Sequence, residues 1–215
     1  MTTLTECFNA ILTGDKDASR RAARQVSKLL YSSAADGREK FAEMAAIIEN
    51  APKEYAKIKE DWRQENFVMA ISVMYFLHGK REQPDFLFAW LFDLLQHPNG
   101  YIRYAAVRML ENELGPLTVH IRVPDYELRY GKHDPSPEQA IIILFELYKN
   151  LTDLASDLWE PKYKRYKYIS SLPNGPYKSA QMVLGAMEED CGEDFMNFLE
   201  HLRDKMDEGV KIVEK

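Results

Sequence analysis

Residues 84–114 read PDFLFAWLFDLLQHPNGYIRYAAVRMLENEL, and the fold turns on how that stretch divides. Its first half is almost continuously apolar: Phe86, Phe88, Ala89, Trp90, Leu91, Phe92, Leu94 and Leu95, broken by Asp93 and Gln96. A helix apolar on nearly every side has to be covered by neighbours, and the run is shorter than the roughly 20 apolar residues that span a bilayer. Pro84 suits a first helical turn, where a missing N–H costs little. His97, Pro98, Asn99 and Gly100 then turn the chain, with Asn99 placed to cap the next helix. In the second half Ile102, Ala105, Ala106, Met109, Leu110 and Leu114 recur at helical spacing. The paired alanines admit a close neighbour, and Arg103 and Arg108 fall off the apolar stripe. Gly115 and Pro116 are expected to end this helix. The unit is an antiparallel helix hairpin.

His97, Pro98 and Asn99 at the turn, followed by Arg103, Ala106 and Leu110, resemble a repeat of the HEAT/armadillo α-helical superfamily. That family commonly has a proline in or near the turn, then arginine, alanine and leucine at these intervals. Where it tends to place an aspartate before the arginine, this chain has His97. The resemblance implies an all-α fold, a right-handed α-α superhelix of antiparallel hairpins, with a concave face built from the second helix of each hairpin. Arg103 and Arg108 would contribute to that face. Fold alone does not fix function.

The composition agrees with one helical domain over residues 1–215. Hydrophobic residues make up 46% of the chain and charged residues 29%, with a net charge of −6. That acidic balance disfavours a nucleic-acid binder, which is usually basic. Cys7 and Cys191 are far apart and form no redox or metal motif. The start of the chain lacks the basic residues and long apolar run of a secretion signal, so a cytoplasmic location without membrane contact is expected.

Elsewhere helices are expected at residues 4–12, 15–31, 39–59 (ended or kinked at Pro52), 61–77, 140–158, 177–187 and 193–206, with fraying beyond 209. Residues 15–31 carry Arg20, Arg21, Arg24 and Lys28 opposite an apolar face and weakly echo the repeat. Ser136 and Pro137 form a helix-start signal. One segment differs. Residues 117–123, LTVHIRV, alternate apolar and polar as a strand does, and residues 124–137 read as a long loop. The expectation is a short strand-like arm at 117–130, returning as a hairpin through residues 126–130 or pairing between the two copies of a homodimer.

The sharpest chemical feature is Lys162, Tyr163, Lys164, Arg165, Tyr166, Lys167 and Tyr168, four cations interleaved with three tyrosines. Tyrosines stack on bases while cations pair with phosphates, and the same patch suits an acidic peptide or lies solvated against the last helices. Residues 188–208 hold nine acids against two bases, which suits a solvated face. The five histidines have no second histidine at ligand spacing, and no nucleophile elbow, phosphate loop or dinucleotide glycine pattern occurs. No catalytic residue, cofactor or metal is therefore expected. The leading expectation is a non-enzymatic scaffold binding a protein partner. The alternative is a nucleic-acid-binding protein or DNA-base-repair enzyme, because the HEAT-like superfamily includes alkyl-base DNA glycosylases. Those use aromatic residues and an acid in a basic groove, and Tyr163, Tyr166 and Tyr168 match them in residue type only.

Overall fold

The apolar stripes find their partners in a computed structural model that describes residues 3–32, 37–156 and 172–213. Eleven α-helices and no strand occur among those residues: α1 (Leu4–Thr13), α2 (Lys16–Ser32), α3 (Gly37–Glu49), α4 (Ala51–Tyr55), α5 (Asp61–Met74), α6 (Phe88–Leu95), α7 (Gly100–Arg122), α8 (Tyr126–Tyr130), α9 (Pro137–Ala155), α10 (Pro176–Cys191) and α11 (Glu193–Val213). A 3-10 turn, Tyr75–Leu77, extends α5.

Local chemistry explains most boundaries. Thr3 and Glu6 cap α1 reciprocally, leaving fewer orphan N–H groups at its start. At Gly14 a Cβ would stand 2.6 Å from the Ala10 carbonyl oxygen, so glycine closes that helix. Pro52 divides the predicted 39–59 helix into α3 and α4. Asn99 caps α7, its side chain accepting from Tyr101 N–H at 2.9 Å. Ser136 and Gln139 form a capping box on α9, with Pro137 at its first position. α6 begins at Phe88, and Pro84 lies in the turns before it. α11 continues as helix through residue 209 to Val213.

α7 is the common neighbour. It packs on α5, α6, α9 and α10, while α5 also packs on α2, and α2 on α1. The helices α2, α5, α7 and α10 thus touch in succession. One continuous apolar cluster runs from Leu4 to Leu199. Phe67 meets Phe8 edge-on at 5.9 Å, and Tyr55 meets Trp90 at 5.8 Å between centroids.

The strand expected at 117–123 is instead the last two turns of α7, which passes through Gly115 and Pro116. Leu114, Leu117 and Thr118 share one helical face, and all three are buried. The Thr118 hydroxyl lies 2.7 Å from the Leu114 carbonyl oxygen and 3.0 Å from Asp190 Oδ2 on α10. Arg122 donates back to Thr118 Oγ1 at 3.0 Å and to the Gly115 carbonyl at 2.7 Å. An interior proline costs about 3 kcal/mol, and burial of this face against α10 offsets it. Residues 126–130 form the short helix α8 rather than a returning strand. The pairing of a strand between two copies therefore has no strand in this segment.

Leu117→Ala is expected to lower unfolding stability by about 2–5 kcal/mol. Thr118→Lys, which a strand with its polar face in water would tolerate, is expected to cost at least as much. Urea unfolding measures both, and an unchanged midpoint for Thr118→Lys would put residue 118 in solvent.

Candidate functional site

α2 carries Lys16, Arg20, Arg21, Arg24 and Lys28 against a single acid, Asp17, in a chain that is acidic overall. Spacing of four puts Arg20 and Arg24 on one face. Both are exposed, and neither has an ion-pair partner among the described residues. They form one wall of a groove of about 590 Å³ that crosses α2, α5 and α7. Its floor is apolar, with Ala23, Met69 and Val73, and Tyr101 stands at the α7 side.

Hydrogen bonds fix the side chains in and around the groove. Ser19 is fully buried, donates to the Ile11 carbonyl at 3.1 Å and accepts from Asn66 Nδ2 at 3.0 Å. Arg63 reaches the same Ile11 carbonyl at 3.1 Å, tying α5 to the end of α1. Asn99 donates to Glu65 Oε2 at 2.7 Å, tying α5 to the turn before α7. Glu65 also lines the groove and keeps its negative charge under that neutral amide, against the two arginines on the α2 wall.

The residues singled out in the sequence are placed differently. Arg103 is fully buried and has no surface with which to meet a partner. Its guanidinium donates to the carbonyls of His97 (2.5 Å), Pro98 (2.9 Å) and Pro173. It falls off the apolar stripe because it points into the turn, where buried backbone carbonyls need donors. Arg108 is half-buried beside Glu111, whose carboxyl is raised by burial and by Glu189 and lowered by Arg108. Lys162, Tyr163, Lys164, Arg165, Tyr166, Lys167 and Tyr168 lie outside the described residues. The residues overlooked were Arg20, Arg24, Met69, Val73 and Tyr101. Their signal was the basic face of α2; its apolar neighbours come from distant helices.

His97 occupies the position where a carboxylate would be expected to meet Arg103. Its Nδ1 accepts from Asn99 N–H at 3.0 Å. Burial, with Arg103 nearby, holds its pKa below the ordinary value, opposed by Asp61. The two thiols are not activated: burial pushes Cys7 up and Cys191 up to about 11, the reverse of what a nucleophile needs. Among the described residues, no group of three His, Cys, Asp or Glu is placed to hold a metal, and no helix is long and apolar enough to cross a membrane.

No protein-family model, curated protein or solved structure matches the chain. Fold and site rest on the chain's own residues.

Arg103→Met leaves three carbonyls without their donor and is expected to destabilise the fold by about 1–3 kcal/mol for each carbonyl that stays dry, read as a shift in the urea midpoint. The unfolded chain binds a proton at residue 97 near pH 6.5, before the folded chain does. Stability from neutral His97 is therefore complete above that value and is lost as pH falls through it toward the lower folded pKa. Between about pH 7.5 and 5.5 the wild-type midpoint is expected to fall further than that of His97→Asn.

Proposed function

We propose that the chain is a non-enzymatic, HEAT-like helical scaffold of the cytoplasm that binds a protein partner. The succession α2, α5, α7, α10 supports reading these helices as the inner row of a right-handed superhelix. The observation that carries the binding assignment is the groove of about 590 Å³, with its apolar floor and the unpaired arginines 20 and 24 on one wall. Charge complementarity selects the occupant: a peptide segment with acidic residues facing α2 and one bulky apolar side chain over Met69 and Val73. Arginine forks match carboxylates well. Two arginines form a small footprint for a phosphate backbone, and the net charge of −6 repels one.

The test compares three labelled probes by anisotropy: an acidic peptide with a central leucine, its Gln/Asn counterpart, and a single-stranded oligonucleotide. The acidic peptide is expected to bind, and Arg20→Glu with Arg24→Glu to weaken it at least about tenfold. Lys28→Glu, outside the groove lining, is expected to leave binding nearly unchanged. An oligonucleotide that binds more tightly, with steep salt dependence, would replace this reading with the nucleic-acid one. Indifference to both charge reversals would remove the groove from function.

A further inference from the structure

The segment that the α2/α5/α7 groove calls for has a counterpart on this same chain. α9 carries Ile142 at 63% exposure, with Glu138 one turn before it and Glu146 one turn after. Spacing of four sets the three on one stripe of the helix. Both acids are exposed, and neither has an ion-pair partner among the described residues. Glu138 accepts from the Ser136 hydroxyl at 3.0 Å, which engages its carboxylate without a cation. Beside the stripe, a groove of about 420 Å³ against α6 places Asp85 next to the apolar Phe88 and Phe92.

The other exposed apolar side chains lack this company. Phe76 stands beside Arg81, and Leu128 shares a pocket with Lys132. Phe198 packs on Phe195 with 6.0 Å between ring centroids and has His201 one turn on. Met206 follows Arg203 and Lys205. Among the exposed large apolar residues of the described segments, Ile142 alone has an acid four residues to either side. That is the pattern two arginines over an apolar floor would take: one bulky apolar knob between two carboxylates.

Ile142 stands in the α6/α9 groove, which shares no lining residue with the α2/α5/α7 groove, so the stripe that fills the latter comes from another molecule. We infer that a second copy of this chain docks its α9 stripe in the α2/α5/α7 groove, Ile142 over Met69 and Val73 and its acids against Arg20 and Arg24. The inference rests on the partner-binding reading of that groove and names its occupant. Along their helices Glu138 and Glu146 lie about 12 Å apart and Arg20 and Arg24 about 6 Å apart, so an outward splay of about 3 Å at each arginine aligns the two pairs. Glu65 repels an acid on the α5 side, which turns the carboxylates of the stripe toward α2. Two copies that exchange stripes close as a dimer, and copies that do not exchange them grow as a chain. One stripe in one groove is a small interface, of the size that gives weak, reversible association.

The experiment is sedimentation of the whole chain between about 5 and 500 μM. The mass of the wild type is expected to rise with concentration to a dimer or beyond, and less so in high salt. A groove variant, Arg20→Glu with Arg24→Glu, and a stripe variant, Ile142→Ser with Glu146→Arg, change exposed positions only and are checked as folded by circular dichroism. Each alone is expected to associate at least about tenfold more weakly. Mixed, they are expected to form a one-to-one complex, because one keeps the stripe and the other keeps the groove. The inference is overturned if the wild type stays monomeric throughout, if either folded variant associates as the wild type does, or if the mixture stays monomeric. The acidic leucine peptide separates this inference from the reading beneath it. Peptide binding to a monomeric wild type removes the second copy and leaves the groove as a docking site, whereas failure of both removes both.

Discussion

A single buried guanidinium sets the arrangement of this protein. Arg103 ties the carbonyls of His97 and Pro98, in the turn after α6, to the Pro173 carbonyl just ahead of α10. Buried turn carbonyls need donors from outside a helix, and a planar cation with five donors satisfies several at once. Burying that charge is costly, and charge-assisted bonds to three fixed carbonyls offset the cost. The tie joins segments 70 residues apart in sequence. It also explains why His97 stays neutral: a second cation beside the guanidinium would add repulsion to the cost of burial.

α7 then serves as a shared pillar. Its first turn brings Tyr101 to the groove, and its fourth carries the buried Glu113, about 18 Å further along the axis. The charged groups differ in how far they stand from water. Arg20 and Arg24 are exposed over the apolar floor of the groove, so they cost nothing until a partner arrives. Glu113 is buried and meets His78 Nε2 at 2.9 Å.

Much of the architecture was legible along the chain because its signals are local. Asn99, Ser136 with Pro137, and Pro52 act through bonds and clashes within a few residues, and each lies where its chemistry placed a boundary. The arm at 117–123 was misread for the converse reason. Leu117, Val119, Ile121 and Val123 satisfy a period of two, while Leu114, Leu117, Thr118 and Ile121 satisfy a helical face equally well. Pro116 tips that ambiguity toward a break. What overrides it is α10, which meets the buried face through Asp190 and lies far down the chain.

The sequence by itself determined that this chain is helical, where most helices start, and which stripe of each seeks burial. Those properties depend on intervals of three and four residues. The tertiary structure alone decided which polar residues act inside and which remain outside. Arg103 and Arg20 are equally charged and equally off a stripe, yet one is sealed in a turn and the other faces a groove. Glu113 looks like any helical acid until His78 meets it at 2.9 Å in the interior. Burial is a property of what packs against a residue, and here those neighbours come from helices that only folding brings together.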